Sequence, residues 1–219
     1  MARAMTIIIR GRIRRGDLDL QLDLKLRPGL TSIVGPNGSG KTTILRLLAG
    51  LEALDEGTLT VNGRVIDSPS AGVFVPAEER ELAMVFQDHR LLPHLSAVDN
   101  VAYPWRRLGH DRSTARDHAA AALHSVGADA LAALRPRSLS GGQSQRVAIA
   151  RAIVANPTAL LLDEPLASVD PDGRPLLREL FSSCPATYTI WVTHDSHDAS
   201  LADCLVTVSA GEIHQTEQT

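Results

Sequence analysis

The segment GPNGSGKT, residues 35–42, combines glycines, a lysine and a threonine at a spacing that can bind phosphate. It fits the pattern G-x-x-x-x-G-K-S/T, in which the glycines let backbone N–H groups curl around phosphate oxygens. Lys41 can reach the β- and γ-phosphates of a nucleotide, and the hydroxyl of Thr42 can bind Mg²⁺. The alternative is a glycine-rich turn that binds nothing. The position of the segment between an apolar run and a helical pattern favours a phosphate-binding loop.

Two adjacent acids follow an apolar run in ALLLDEP, residues 159–165. Asp163 is placed to hold Mg²⁺, directly or through water, and Glu164 is placed to polarise an attacking water as a general base. Taken alone, the two acids fit a helix cap or a solvated turn equally well. Together with a phosphate-binding loop, they favour a metal-assisted nucleotide site.

A serine and two glycines open a helical pattern in LSGGQSQR, residues 139–146. The free N–H groups and the positive dipole end at such a helix start attract an anion. The alternative is that Ser140 serves only as an N-cap.

Strict alternation of polar residues and leucines marks residues 17–26, DLDLQLDLKL. A period of two predicts a strand with one buried face in an antiparallel sheet. Met5 to Arg10 can pair with this strand, and Gly57 to Val61 is a further short strand. The start of the chain is therefore predicted to form an antiparallel β region.

Farther along, apolar runs alternate with helical patterns, which predicts an α/β fold with a parallel sheet. The predicted strands are Leu30–Val34, Leu82–Phe86, Ala159–Asp163, Tyr188–Thr193 and Cys204–Val208. The predicted helices are Thr42–Leu51, residues 113–126 with Ser113 as cap and Gly127 as stop, Gln143–Ala155, and a helix that begins at Asp170-Pro171. Residues 88–139 are helical in pattern and poor in strands, as expected of an inserted helical subdomain.

The 219 residues have an ordinary globular composition, with 44% hydrophobic and 21% charged residues. A net charge of −3 gives no indication of nucleic acid as a partner. Two cysteines are too few for a disulfide framework, and no apolar run reaches the roughly 20 residues of a spanning helix. Residues 1–12 contain only a short isoleucine stretch, so we expect no signal peptide and membrane contact only through a partner.

The phosphate-binding loop, LSGGQSQR and the two acids, in that order, resemble the ATP-binding subunits of ABC transporters. The resemblance implies that Gln87 contacts Mg²⁺ and water, and that His194 hydrogen-bonds the γ-phosphate. It also implies that residues 168–170 form a loop at a dimer interface, although Asp170 can equally be a helix cap. Ser144 stands where the family usually has glutamine.

The cofactors implied by this resemblance are ATP and Mg²⁺. The implied catalytic residues are Glu164, His194, Gln87 and Lys41, and the implied metal ligands are Thr42, Gln87 and Asp163. The implied nucleotide-binding residues are Gly35, Pro36, Asn37, Gly38, Ser39, Gly40, Lys41, Thr42 and Thr43, together with Ser140, Gly141, Gly142 and Gln143.

The resemblance also implies a fold and an assembly. The fold is a P-loop NTPase (RecA-like) core, residues 1–87 and 140–219, with an N-terminal antiparallel β subdomain and an inserted helical signalling subdomain, residues 88–139. Two ATPase subunits, identical or different, form a head-to-tail dimer with ATP between them. The dimer acts on an integral membrane permease at the cytoplasmic face of the cell membrane, indirectly with a solute-binding receptor and without nucleic acid.

A narrower resemblance, to the ATP-binding subunits of molybdate importers, rests on Pro28 to Thr31, where most relatives have Gly-Glu, and on FQDHRLLPH, residues 86–94. Importers of sulfate, iron or polyamines share parts of this pattern and stay open as alternatives. The additional C-terminal oxyanion-binding domain of many molybdate subunits is not expected within the 219 residues. The aromatic residue that stacks on adenine in the family is missing from residues 10–16, and Arg12, Arg14 or Arg15 are candidates in its place.

Other ABC proteins fit less well. ATPases of DNA repair split the core with long coiled coils, whereas the stretch between Gln87 and Leu139 is short. Translation-associated members carry two cassettes in one chain, and this chain has one. The presence of Lys41, Glu164 and His194 argues against a non-catalytic cassette.

Overall fold

The computed structural model describes residues 5–218, and it divides them into two compact units. The first unit contains residues 5–82 and 187–218, and the second contains residues 83–186. The predicted division into a core, residues 1–87 and 140–219, and a helical subdomain, residues 88–139, stays a prediction. Residues 1–4 and 219 of that division, and residues 1–4 of the segment considered for a signal peptide, lie outside the described residues.

The first unit holds most of the strands. Its strands are β1 (Ile7–Arg15), β2 (Leu18–Leu26), β3 (Gly29–Val34), β4 (Glu56–Val61), β5 (Arg64–Ser68), β6 (Val73–Phe74), β9 (Tyr188–Val192), β10 (Cys204–Ser209) and β11 (Glu212–Glu217). Its helices are α1 (Lys41–Ala49) and the short α6 (Ser196–Ala199). The second unit holds β7 (whose bounds are Leu82–Val85), β8 (Ala159–Asp163), α2 (Ala97–Arg107), α3 (Arg112–Ser125), α4 (Gly141–Ile153) and α5 (Arg174–Ser182).

An antiparallel sheet in the order β2-β1-β4-β5-β6 forms the start of the chain, as predicted. The alternating leucines of β2 turn inward, so Leu20, Leu22, Leu24 and Leu26 are buried while the residues between them are exposed. All nine residues of β1 pair with β2, which is why β1 extends beyond the predicted Met5–Arg10 to Arg15.

Two glycines face each other where β1 pairs with β4. Gly11 and Gly57 are partners in the antiparallel register. A Cβ atom on Gly11 would lie 2.1 Å from the carbonyl oxygen of Glu56, and one on Gly57 would lie 2.1 Å from that of Arg10. The two strands therefore approach so closely that neither position has room for a side chain.

The second sheet of the first unit contains the neighbouring strands β11-β10-β3-β9. Strand β3 runs parallel to β9 and to β10, with Ile33 opposite Val192 and Val206. The carboxyl ends of β3 and β9 therefore lie at the same edge, where the residues after each strand can meet. This arrangement of α-helices with an antiparallel and a parallel sheet confirms the predicted P-loop NTPase fold class.

Arg80 binds carbonyl oxygens at the end of α1, a role that the sequence does not indicate. Its guanidinium donates hydrogen bonds to the carbonyl oxygens of Leu47 (2.6 Å), Leu48 (2.8 Å) and Val75 (2.7 Å). The first two are carbonyls of the last helical turn, where α1 supplies no further donors, and the N–H of Gly50 after the helix also donates to Leu47 (3.2 Å). Burial lowers the pKa of Arg80, and the charge of Asp67 opposes that effect.

The second unit is built on α4, which contacts both α2 and α3. Val147, Ile149 and Ala150 of α4 are buried, as are Val101 of α2 and Ala119 of α3. Every residue of β8 is buried, and β7 is its hydrogen-bonded neighbour. Residues 88–139, all of them described, contain helices and 3₁₀ turns but no strand, in line with the predicted pattern.

Two helix starts differ from the prediction. The cap of α3 is Asp111 rather than Ser113, because its carboxylate accepts hydrogen bonds from the backbone N–H (3.0 Å) and hydroxyl (2.6 Å) of Thr114. Asp170-Pro171 begins a 3₁₀ turn, Pro171–Gly173, and the α-helix itself begins only at Arg174. Among residues 5–218, no helix is long and apolar enough to cross a bilayer.

Candidate nucleotide-binding site

The predicted phosphate-binding loop lies between β3 and α1, as the sequence indicated. Gly40, the last residue before α1, has φ 103°, and its missing side chain leaves room for Leu20. A Cβ atom on Gly40 would lie 2.4 Å from the Leu20 side chain, and one on Gly35 would lie 2.1 Å from the carbonyl oxygen of Val208. These two glycines are required by packing as well as by the curvature of the loop.

The polar groups of the loop fit a phosphate. Lys41 is 7% exposed, and its Nζ donates hydrogen bonds to the carbonyl oxygens of Gly35 (2.9 Å) and Pro36 (2.8 Å). The Ser39 hydroxyl is buried and has no hydrogen-bond partner among the described residues. The first turn of α1 contains no acidic residue, and no side chain caps it. A buried cation, an orphaned hydroxyl and an uncapped helix start together suit an anionic ligand.

His194 lies two residues after β9, at the same sheet edge as the phosphate-binding loop. The backbone N–H of Thr193 donates to the carbonyl oxygen of Ile33 (3.2 Å), which continues the pairing of β3 and β9 up to this point. His194 is exposed, and Asp195 after it caps α6 through the N–H groups of His197 (2.8 Å) and Asp198 (3.2 Å). The first unit therefore holds Lys41, Thr42 and His194 along one edge of a sheet.

Asp163 and Glu164 lie in the second unit, at the end of β8. Asp163 is 5% exposed, and Glu164 is half-buried. Glu164 has φ 49°, in the left-handed region that residues with a side chain seldom adopt. Such strain persists only where the surrounding structure holds it, and it is common at functional sites.

Ser140 begins α4 with a complete capping box. Its hydroxyl accepts from the backbone N–H of Gln143 (3.3 Å), while the Gln143 side chain accepts from the backbone N–H of Ser140 (2.9 Å). The N-cap interpretation of Ser140 is thereby confirmed. Gly141 and Gly142 are the first two helical residues, and the first turn contains no acidic residue. A helix start of this kind can still bind an anion.

The loop of residues 168–170 packs against the start of α4. A Cβ atom on Gly142 would lie 2.7 Å from the carbonyl oxygen of Ser168, so this glycine allows the contact. Arg146 of α4 pairs with Asp170 (Nη2 to Oδ1, 3.1 Å). Asp170 makes no side-chain capping bond, so the alternative that it is only a helix cap is wrong. Arg146 belongs to the quoted LSGGQSQR motif, but its partner 24 residues later was not predicted.

Gln87, the remaining predicted site residue, is exposed and follows β7 by two residues. It precedes a turn of unusual backbone geometry, since His89 and Arg90 have φ 59° and 46°. The second unit therefore holds Gln87, Asp163, Glu164 and the residues Ser140 to Gln143.

The three arginines considered for adenine stacking are all engaged in ion pairs. Arg12 binds Asp19 through two hydrogen bonds, which lower the pKa of that carboxyl. Arg15 pairs with Glu52 (2.6 Å) and Asp55 (3.1 Å), and Arg14 lies 3.5 Å from Glu56. The pKa of Asp55 is lowered chiefly by the backbone N–H of Arg14. A guanidinium held in this way can still stack through its face.

Comparison with known proteins places these motifs in a family. The family described as ABC transporter matches residues 20–167. The Fe(3+) ions import ATP-binding protein FbpC of Agrobacterium fabrum is 42% identical over 201 residues, covering 89% of this chain and 55% of that protein. The molybdenum import ATP-binding protein ModC of Paramagnetospirillum magneticum is 37% identical over 207 residues, covering 92% and 56%. The chain thus spans about half the length of these curated relatives.

Two solved structures resemble the whole chain. A dimeric, post-hydrolysis state of the ATP-binding cassette MJ0796, bound to ADP and Pi, has a TM-score of 0.80 and 26% identity, covering 96% of this chain and 98% of that one. A dimeric structure of MJ0796, described as a bacterial ABC transporter cassette, has a TM-score of 0.79 and 27% identity, with the same coverage. From the matched family and the motifs within it, the chain belongs to the ABC transporter family.

Proposed function

We propose that this chain binds ATP with Mg²⁺ and hydrolyses it, as the energy-supplying subunit of an importer. The observation that carries the proposal is the phosphate-binding loop, in which the buried Lys41 and the orphaned Ser39 hydroxyl adjoin an uncapped helix start. The proposal is supported by membership of the ABC transporter family and by a solved relative bound to ADP and Pi.

Each residue has a distinct part in this proposal. The N–H groups of Gly35 and of residues 37–43, with the Lys41 ammonium, bind the phosphates. Thr42, Gln87 and Asp163 are the candidate ligands of Mg²⁺, which when bound neutralises phosphate charge. Glu164 takes a proton from the attacking water as general base, and His194 hydrogen-bonds the γ-phosphate. The strained backbone of Glu164 favours a fixed direction for its carboxylate.

The working form in this proposal is a dimer of ATPase subunits, homomeric or heteromeric. Ser140, Gly141, Gly142 and Gln143 of one subunit bind the nucleotide held by the phosphate loop of the other. Support comes from the anion-compatible start of α4 and from the dimeric state of the two solved relatives. ATP shifts the equilibrium towards the dimer because it binds the closed state better than the separated one.

As part of an importer, the chain would act with a permease on a particular solute. Relatives named for Fe(3+) import and for molybdenum import support uptake rather than export. The narrower sequence resemblance favours molybdate or a related oxyanion, and Fe(3+) is a second candidate because several relatives carry that name. The chain would act at the cytoplasmic face of the membrane, on a permease that receives solute from a binding receptor.

The test compares the purified chain with its Lys41→Ala variant. We expect Mg²⁺-dependent phosphate release from ATP by the wild-type chain, and a loss of ATP binding and of phosphate release by the variant. Arg64→Ala, at an exposed position of β5, is the control and should retain both. Tight ATP binding without phosphate release by the wild-type chain would refute the catalytic part of the proposal.

Co-purification from native membranes tests the importer part. Recovery of a multi-spanning permease with a molybdate- or iron-binding receptor would support uptake and identify the solute. Full ATPase activity without any membrane partner would instead indicate a soluble ABC ATPase.

A further inference from the structure

The turn after Gln87 has a backbone that its own residues do not favour. His89 and Arg90 are consecutive, carry side chains and both adopt left-handed conformations, with φ 59° and 46°. Neither is glycine, and a pair of such residues persists only where other groups hold the chain in place. The group that holds this turn therefore also fixes where Gln87 is presented.

Arg151 of α4 holds the turn by its backbone. Its Nη2 donates to the carbonyl oxygen of His89 (2.9 Å), and its Nη1 donates to that of Arg90 (2.7 Å). Among residues 5–218, Arg151 forms no ion pair, so the two carbonyls are its described partners. Burial lowers the pKa of Arg151, which indicates that the charge is partly withdrawn from water. The planar fork of a guanidinium suits two neighbouring carbonyls, whereas a lysine ammonium is a single point charge.

The side chains of His89 and Arg90 have further neighbours. Burial lowers the pKa of His89, while the charge of Asp88 and the neighbouring side chain of Gln145, which is 2% exposed on the same helix, oppose that effect. The Arg90 guanidinium lies 4.0 Å from the centre of the Phe86 ring. The Nε2 atoms of His89 and Gln145 are nevertheless buried without partners among the described residues. The turn has its own bonds, from the N–H of His89 to the carbonyl oxygen of Phe86 (3.0 Å) and from that of Arg90 to that of Asp88 (2.7 Å), and the two bonds of Arg151 tie it to α4.

We propose that Arg151 is a positioning residue that sets the orientation of Gln87 through the turn of residues 88–90. Arg151 lies in the helix that begins at Ser140, so it links the predicted Mg²⁺ ligand Gln87 to the helix whose first residues are predicted to face a nucleotide. The inference rests on the proposed ATPase function, and it adds a residue to which the sequence motifs assign no role.

The kinetic test uses Arg151→Met and Arg151→Lys. Met keeps the length and helix propensity of the side chain but donates no hydrogen bond. We expect Arg151→Met to lower kcat about 10- to 100-fold, as a displaced catalytic group does, while KM for ATP changes less than about threefold. Arg151→Lys should fall between Met and wild type. Arg107→Met, an exposed arginine of α2, is the matched control and should retain wild-type kcat.

A double-mutant cycle with Gln87→Ala separates positioning from general damage. If Arg151 acts through Gln87, adding Arg151→Met to Gln87→Ala should lower kcat little further. Fully additive losses would overturn the proposal. Circular dichroism and thermal melts check folding, and Arg151→Lys carries the test if Arg151→Met does not fold.

Hydrogen exchange supplies a readout that does not depend on catalysis. Peptides covering residues 86–92 should exchange faster in Arg151→Met than in wild type and Arg107→Met, without nucleotide present. Unchanged exchange there would refute the proposed role of Arg151. A wild-type chain without ATPase activity would refute the proposed function itself, whereas an active wild type with an equally active Arg151→Met would refute only the positioning role.

Discussion

The Ser39 hydroxyl is expected to have opposite effects on the stability of the free chain and on its affinity for nucleotide. Its hydroxyl is buried in the phosphate-binding loop without a partner among the described residues. A buried, unsatisfied hydroxyl costs free energy of folding, but a phosphate oxygen at the same place would accept its hydrogen. Ser39 should therefore stabilise the nucleotide complex more than the free chain.

Ser39→Ala tests this separation. We expect the free variant to keep or slightly raise its Tm, because no hydrogen bond is lost. Its affinity for Mg²⁺–ATP should fall about threefold to tenfold, the value of one hydrogen bond of about 1 kcal/mol. Thermal melts with and without nucleotide, beside isothermal titration, measure both effects. Ser200→Ala, whose hydroxyl binds the carbonyl oxygen of His197, is the control with unchanged affinity. A large loss of Tm in the free variant would contradict the argument.

The sequence predicted single residues well where their chemistry depends on type and local spacing. Ser140 is the N-cap, and Asp163 ends the buried strand β8. The roles of Arg80 and Arg151 could not be predicted, because their partners are carbonyl oxygens far along the chain. Any residue supplies such a carbonyl, so no side-chain pattern points to it.

At the scale of elements, the packing of α4 against the loop of residues 168–170 leaves different amounts of space at two adjacent glycines, Gly141 and Gly142. A Cβ atom on Gly142 would lie 2.7 Å from the backbone of Ser168, whereas the closest contact for one on Gly141 is 3.6 Å, to a side chain. Both residues are in the first turn of α4, where alanine favours the helix over glycine.

Gly141→Ala and Gly142→Ala are thus a matched pair. We expect Gly141→Ala to leave stability unchanged or raise it by up to about 1 kcal/mol, the helix preference of alanine over glycine. Gly142→Ala should lower stability by about 1–3 kcal/mol, because the loop or the helix must move to relieve the clash. Urea denaturation of both variants measures the difference. Equal stabilities would show that the loop of residues 168–170 can move to relieve the clash without lowering the free energy of unfolding.

An ion pair joins α2 to α3 and makes their packing sensitive to acid. Arg116 binds Asp99 through two hydrogen bonds, Nε to Oδ1 (2.9 Å) and Nη2 to Oδ2 (3.0 Å). The Asp99 side chain is only 15% exposed, and the Arg116 hydrogen bond lowers its pKa in the folded chain. A carboxyl with a lowered folded pKa stabilises the fold above its ordinary pKa of about 3.9, and this stabilisation is lost as the pH falls through the lowered value.

Arg116→Met should therefore destabilise the chain in a pH-dependent way. We expect a loss of about 1–2 kcal/mol in the free energy of unfolding at pH 7, and a much smaller loss once the pH has fallen through the lowered pKa of Asp99. Denaturant titrations at several pH values provide the measurement. Arg112→Met is the control, because Arg112 lies 4.0 Å from Asp99 and is 66% exposed. A loss that is the same at all pH values would assign the effect to packing instead of charge.

Element types were more predictable than element ends. The alternation in β2 and the apolar run of β8 give unambiguous periods, and both strands lie within one residue of the prediction. Strands β5, β6 and β11 were not predicted, because β6 has only two residues and the sequences of β5, RVIDS, and β11, EIHQTE, contain few apolar residues. The start of α3 was misplaced because aspartate and serine both cap helices, and only the hydrogen bond to Thr114 selects Asp111.

At the scale of the whole molecule, the proposed ATPase requires two subunits. Glu164→Gln removes the general base but keeps a side chain of the same size. We expect it to bind ATP and to release phosphate at least about 100-fold more slowly. It should accumulate as a dimer, because the ATP-bound dimer persists when ATP is not hydrolysed. Light scattering with and without ATP measures the dimer, and wild type with ADP is the control. A Glu164→Gln variant that stays monomeric at saturating ATP would contradict the dimer mechanism.

The solute is the part of the function that the sequence leaves least determined. The ATPase subunit of a transporter binds ATP and contacts a permease. Its nucleotide-site residues are therefore expected to be the same whichever ion is transported. Molybdate stays a prediction from the subgroup resemblance, alongside relatives named for Fe(3+) and for molybdenum import.

The contact between Gly11 and Gly57 limits how the antiparallel sheet can evolve. Each glycine excludes a side chain because of backbone atoms of the opposite strand, and not because of a side chain that could shrink. A substitution at one position therefore cannot be rescued by a smaller residue nearby. In a saturation library, both sites should accept glycine alone, and no pairwise compensation should be recovered between them. We therefore expect no neutral substitution at either of these two facing positions.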